Sequence, residues 1–174
     1  MASAPILLLL AWFGRENTFL TILIIAFLTD SIDGPIARYL HQESEIGSKM
    51  DTSADVSIYI TYMISAFWLW PDIVRREQIY FMMLFASILI PAAAGVVKFR
   101  RITGYHTWLV KIASVCIAVS SLLMFIFGPA VPFRVSAVIC LLAGLEEFTI
   151  TMMLKNPRTD VGSLWHVLRK GEIN

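Results

Sequence analysis

Hydrophobic and polar positions along this chain alternate on the scale of whole helices, not of single residues. Apolar stretches run over Ala2–Phe13, Thr18–Leu40, Asp55–Trp70, Ile79–Val97, Trp108–Phe127 and Val131–Leu154. Most approach the ~20 residues a helix needs to cross ~30 Å of hydrocarbon. No stretch shows the residue-by-residue alternation of a membrane barrel strand, and the connections are too short to hold a second domain. The pattern predicts an all-α fold, a polytopic membrane helix bundle of six transmembrane helices in a single domain over residues 1–155. The first stretch is too short to span unaided. It carries no basic leader, and no small-residue cleavage site separates it from the next full span. A truncated first helix is therefore expected, not a secretory signal. Residues 156–174 form the expected cytoplasmic interfacial tail, where Trp165, His166, Leu168 and Arg169 read as an amphipathic segment on the membrane surface.

Composition agrees with this pattern. Of the 174 residues 57% are hydrophobic and 16% charged, against roughly 25% charged in an ordinary soluble domain. Cys116 and Cys140 both lie within apolar stretches, which suits packing and supports neither a disulfide framework nor a zinc site. The cations set an orientation. Arg38, Lys49, Lys98, Arg100, Arg101, Lys111, Lys155, Arg158, Arg169 and Lys170 belong to one side of the bundle, and Arg15, Arg75, Arg76 and Arg134 to the other. The excess makes the first side cytoplasmic.

On that side lies the most informative pattern in the chain, Asp30-x-x-Asp33-Gly34-x-x-Ala37-Arg38, then Gly47-x-x-x-Asp51-x-x-x-Asp55. A carboxylate at the centre of a membrane helix costs roughly 2.5–3.5 kcal/mol on insertion scales, so four near one interface need a compensating partner. Carboxylates are hard oxygen ligands suited to Mg²⁺ or Mn²⁺, and one or two such ions would attract a phosphate-bearing substrate. Residues three and four apart share a helix face. Asp30, Asp33, Gly34, Ala37 and Arg38 therefore form one stripe, and Gly47, Asp51 and Asp55 a second. The short polar connection His41–Ile46 is expected to turn the chain back, so that the aspartate pairs oppose each other as a cage. Gly34 and Ala37 leave a hollow for a flat group such as a nucleotide base or ribose, and Arg38 offers a planar fork of donors to a phosphate. Asp55, last in the series, is the expected general base toward an acceptor hydroxyl. Pro35 is expected only to loosen the helix.

These eight positions resemble in full the signature of the CDP-alcohol phosphatidyltransferase family of integral membrane enzymes. The resemblance implies a six-helix fold, commonly dimeric, that transfers the phosphatidyl group of a CDP-linked lipid to an alcohol and releases CMP. It implies that Asp30, Asp33, Asp51 and Asp55 bind the metal, that Asp55 is also the base, and that Gly34, Ala37, Arg38 and Gly47 belong to the CDP-lipid site. The implied partners are CDP-diacylglycerol, a small alcohol, membrane lipids and a second copy of the chain, with no nucleic acid. Family members usually carry an interfacial helix and an Asn/Thr…Arg stretch before the first span. Here Met1 opens almost inside the first helix, with Pro5 where a proline often follows that stretch, so the expectation is either a start placed late or a nucleotide site that has lost that part.

Lys98, Arg100, Arg101, His106 and Lys111 gather around the cytoplasmic turn between the fourth and fifth expected helices. Positive-inside topology and anionic-lipid contact account for such a cluster. The sharper alternative is a pocket for a phosphate on the acceptor, formed by Arg100, Arg101 and Lys111, which favours inositol phosphate or glycerol 3-phosphate. Of Glu146 and Glu147, inside the last apolar stretch, one is expected to face a helix partner and the other a polar cavity or dimer seam, in a structural hydrogen-bonding role in preference to catalysis. Two other classes compete. An intramembrane prenyltransferase would use aspartates spaced differently and would not need Gly34, Ala37 and Arg38. A divalent-cation transporter or non-catalytic scaffold would line a route across the membrane with polar residues, whereas here they gather on one side.

Overall fold

The computed structural model describes residues 3–39, 45–100, 105 and 107–154, and of residues 3, 30–39 and 45–56 the helical backbone alone. It contains helices α1 (Ser3–Trp12), α2 (Glu16–Tyr39), α3 (Glu45–Leu69), α4 (Pro71–Arg76), α5 (Gln78–Phe99), α6 (Trp108–Phe127) and α7 (Val131–Met153). No strand occurs among the described residues. Over the described residues each expected apolar stretch overlaps a helix. Among the described residues α5, α6 and α7 are long and apolar enough to cross a membrane, and the apolar parts of α2 and α3, Glu16–Thr29 and Ser57–Leu69, are shorter. Three long spans are thus in evidence. The expected tail over 156–174 lies outside the described residues.

The helix α4 has no counterpart in the expected set of segments. Pro71 accounts for it, because proline disfavours continuation of α3 through the preceding residue and is pre-set for the first position of a new helix. Asp72 in the first turn and Arg75 and Arg76 in the last match the helix macrodipole.

The chain forms two compact units, Met1–Arg76 and Glu77–Asn174. In the first unit, α1 packs against both α2 and α3. Gly14, at φ +65°, makes the turn between α1 and α2, a conformation available to glycine at no steric cost. The rings of Phe19 and Trp70 lie 5.9 Å apart, edge to face, so the beginning of α2 and the end of α3 share one end of the unit and the two helices run in opposite directions. At that same end Trp12 stands edge-on to Trp68 at 5.4 Å. Thr21 and Thr29 donate their hydroxyls to the carbonyls of Asn17 and Ile25, which satisfies these polar atoms within the helix itself.

In the second unit, α7 packs along both α5 and α6. Phe81 and Phe133, near the starts of α5 and α7, have ring centroids 4.9 Å apart. Lys98, near the end of α5, reaches the last turn of α7. Those two contacts make α5 and α7 parallel, with α6 as the antiparallel connection. α5 and α7 come close at Ser87 and Gly144, where a Cβ on residue 144 would stand 2.7 Å from Ser87 Cα. Pro91 lies inside α5 and lacks the N–H that would bond the Ser87 carbonyl one turn back. That freed carbonyl oxygen is the atom nearest to where a Cβ on residue 144 would stand. Large apolar side chains remain on the outside of the helices, among them Val97 at 84% and Phe127 at 73% exposure, as expected where lipid replaces water as the neighbour.

Candidate functional site

The two stripes of the aspartate array fall on helical backbone. Asp30, Asp33, Gly34, Ala37 and Arg38 occupy the last turns of α2, and Gly47, Asp51 and Asp55 the first turns of α3. Residues 40–44 separate the helices, and Glu45 and Ile46, expected in the connection, already belong to α3. The spacings of three and four therefore do correspond to shared helix faces. The side chains of these eight residues lie outside the described ones, as do His41 and the remainder of the connection. Among the described residues no group of three or more His, Cys, Asp or Glu forms a metal site.

The basic cluster separates into different environments. Lys98 donates from Nζ to the carbonyl oxygens of Thr151 at 3.0 Å and Met152 at 2.7 Å. Those carbonyls belong to the last turn of α7, which has no following turn to satisfy them. The ammonium also complements the negative end of the helix dipole, so Lys98 is a helix-capping residue. Arg100 is exposed and ends α5 in the left-handed region at φ 54°, its N–H donating to Val96 O. Lys111 is half-buried in the first turn of α6, with Nζ 5.2 Å from the centroid of the Trp108 ring. Arg101 and His106 lie outside the described residues.

Glu146 and Glu147 bind the segment that enters α6. Thr107 Oγ1 donates to Glu146 Oε2 at 2.9 Å and accepts from Val110 N at 3.3 Å, the side-chain bond of an N-cap. Tyr105 donates its backbone N–H to Glu147 Oε1 at 3.1 Å. Its ring is fully buried against Ile150 and Leu154, with Phe99 alongside. Thr151 Oγ1 lies 2.9 Å from the Glu147 carbonyl and 3.1 Å from the Tyr105 hydroxyl. A threonine hydroxyl has one proton. With that proton given to the Glu147 carbonyl, the phenol is the donor to Thr151. The hydrogen-bonding role expected of the two glutamates is what the structure shows. Tyr105, Thr107 and Thr151 had no part in the sequence reading. Of these only Thr107 carried a signal, as a capping residue immediately before an apolar run.

At the other end of this unit Glu77, 1% exposed, accepts from Arg134 through both carboxylate oxygens, at 2.7 Å from Nε and 2.9 Å from Nη2. Arg134 also lies 5.6 Å from the Tyr80 ring centroid. This fork-to-fork pair joins the N-cap of α5 to the first turn of α7. Cys140 Sγ contacts Ala113 O at 3.6 Å, and both cysteines are free, in keeping with packing roles.

Long apolar helices with an acidic array on consecutive helix ends define a membrane-embedded all-α protein. The family model for CDP-alcohol phosphatidyltransferase matches residues 1–153, and the chain belongs to that family. No curated protein and no solved structure matches it. The family's reaction is transfer of a phosphatidyl group from a CDP-alcohol to an acceptor alcohol in phospholipid synthesis, generally with a divalent metal. The chain is accordingly an integral membrane phosphotransferase.

Proposed function

We propose that this protein transfers the phosphatidyl group of CDP-diacylglycerol to the hydroxyl of a small phosphorylated alcohol, inositol phosphate or glycerol 3-phosphate, and releases CMP on the cytoplasmic face. The observation that carries this reading is the complete array, with its halves on helical backbone at the end of α2 and the start of α3. The opposed course of these two helices, supported by Phe19 and Trp70, lets the halves meet at one end of the unit.

Four carboxylates are a donor set that fits Mg²⁺ or Mn²⁺ and suits softer metals poorly. Asp30, Asp33, Asp51 and Asp55 would hold one or two such ions, and a bound ion would offset the charge of the CDP diphosphate and of the departing phosphate. The rest of the chemistry belongs to the chain. Gly34, Ala37 and Gly47, with little or no side chain, leave room for the nucleotide against the backbone, and Arg38 holds a phosphate oxygen. Asp55 takes the proton from the acceptor hydroxyl as that oxygen attacks the phosphorus bearing the lipid. Arg100, Arg101 and Lys111 hold the acceptor's own phosphate. The reaction acts within one domain over 1–155, on membrane lipid, with a second copy of the chain as the partner.

The test is CMP release by the purified protein from CDP-diacylglycerol with Mg²⁺ or Mn²⁺, with inositol phosphate, glycerol 3-phosphate and serine compared as acceptors. Turnover with a phosphorylated acceptor is expected. CMP release with serine alone would refute the acceptor assignment, and none with any acceptor would refute the donor half as well.

A further inference from the structure

The end of α5 and the entry to α6 are both bonded to one stretch of α7. On the α5 side, Lys98 is bonded to the carbonyls of Thr151 and Met152, two residues before the helix ends at Arg100. On the α6 side, Tyr105 is bonded through its backbone to Glu147 and through its phenol to Thr151, and Thr107 is bonded to Glu146. Tyr105, Thr107 and Thr151 are each fully buried. The two residues that flank this hold, Arg100 and Lys111, are those assigned above to the acceptor's phosphate.

We propose that Glu147 and Thr151, acting through Tyr105, are positioning residues that set the spacing of the acceptor-binding cations Arg100 and Lys111; this rests on the acceptor reading given above. The physical reason is the character of the anchors. A polar group buried without a partner loses roughly 1–3 kcal/mol, so the Tyr105 N–H and phenol fix the register of Tyr105 on α7 and do not merely decorate it. Glu147 and Thr151 lie four apart and so on one helix face, and they grip the same tyrosine at its backbone and at its tip. The ring packed on Ile150 and Leu154 closes the space between those grips. Longer side chains on a fixed base present their charges with less conformational entropy left to lose when a phosphate arrives. The acceptor's KM is therefore the quantity that this clamp controls.

The experiment measures KM for the phosphorylated acceptor and for CDP-diacylglycerol separately, by CMP release with glycerol 3-phosphate and inositol phosphate, in Glu147→Ala, Glu147→Gln, Thr151→Val and Tyr105→Phe. Glu147→Ala, Thr151→Val and Tyr105→Phe are expected to raise the acceptor KM by roughly three- to tenfold, about one lost hydrogen bond each, with the CDP-diacylglycerol KM and kcat held. Glu147→Gln, whose amide oxygen still accepts from Tyr105 N, is expected to restore the wild-type value. Arg100→Ala and Lys111→Ala run alongside as the check on the acceptor site itself. If these two raise the acceptor KM while the clamp variants do not, the clamp is structural only and the proposal falls. A parallel rise in both KM values with a lowered melting temperature overturns it in the same way. If Arg100→Ala and Lys111→Ala leave the acceptor KM unchanged, the acceptor reading fails, and the positioning role with it.

Discussion

Ser87 on α5 and Gly144 on α7 lie so close that any Cβ at position 144 would meet the α5 backbone, 2.7 Å from Ser87 Cα. The contact depends on two sequence features far apart in the chain. Pro91 releases the Ser87 carbonyl from the helix ladder, and the glycine lets that carbonyl approach the facing backbone, where a weak Cα–H···O contact becomes available. Small residues at such crossings are how membrane helices gain close packing when lipid is as apolar as the side chains.

Gly144→Ala is expected to force α5 and α7 apart, since the obstruction is backbone and cannot rotate away. A cost of about 1–3 kcal/mol, the usual range for overpacking, is expected. The measurement is thermal unfolding in detergent, and an unchanged melting temperature would refute the close crossing.

The Arg134 to Glu77 pair joins the starts of the same two helices. Lysine cannot reproduce the two-pronged contact of the guanidinium. Melting temperatures are therefore expected to fall in the order wild type, Arg134→Lys, Arg134→Ala, with kcat preserved in all three where the protein folds. Equal stability of the Lys and wild-type proteins would show that the fork contributes nothing.

Lys98 belongs to the basic cluster by sequence, yet its ammonium caps α7. Lys98→Met is expected to lower the melting temperature and to raise the acceptor KM less than Arg100→Ala does, because its ammonium is bound to the α7 carbonyls and acts on the site only through the hold on the end of α5. Arg100→Ala is expected to raise that KM. Acceptor kinetics of the two variants, measured side by side, decide the matter; a larger KM change in Lys98→Met would return Lys98 to the binding set.

Asp55→Asn should abolish turnover, by a factor of about 10²–10⁴ as for loss of a general base, and should retain metal-dependent binding of CDP-diacylglycerol. Single-turnover CMP release and equilibrium binding, performed on the same preparation, separate the two. Residual turnover near the wild-type rate would remove Asp55 from the base role.

Chelation of divalent cations should stop CMP release, with recovery on adding Mg²⁺ or Mn²⁺. Asp30→Asn, Asp33→Asn and Asp51→Asn should each raise the metal concentration needed for half-maximal rate. An unchanged metal requirement in all three would argue against the array as the metal site.

Much of this molecule follows from local pattern. Apolar runs of helical length mark the helices because backbone polar groups in hydrocarbon must bond within their own segment. The array's spacings of three and four place its residues on shared faces of α2 and α3 wherever those helices end up. Gly128 ends α6 in the left-handed region at φ 92°, and Thr107 caps its start, both legible from residue type. The short α4 escaped because six residues are too few to carry a periodic signal, and only Pro71 and the flanking charges announce it.

What only the tertiary structure decided are the pairings between residues far apart in sequence. The chain shows a run of cations around residue 100, and nothing local distinguishes Lys98, held by the carbonyls of α7, from Arg100 two residues on. Glu146 and Glu147 are adjacent acids in an apolar helix, and their partners, Thr107 and Tyr105, lie about forty positions upstream. The parallel course of α5 and α7 brings these groups together. A buried polar atom is defined by the partner it finds, and that partner is set by which helices lie side by side, a property of packing that no periodicity within one helix contains.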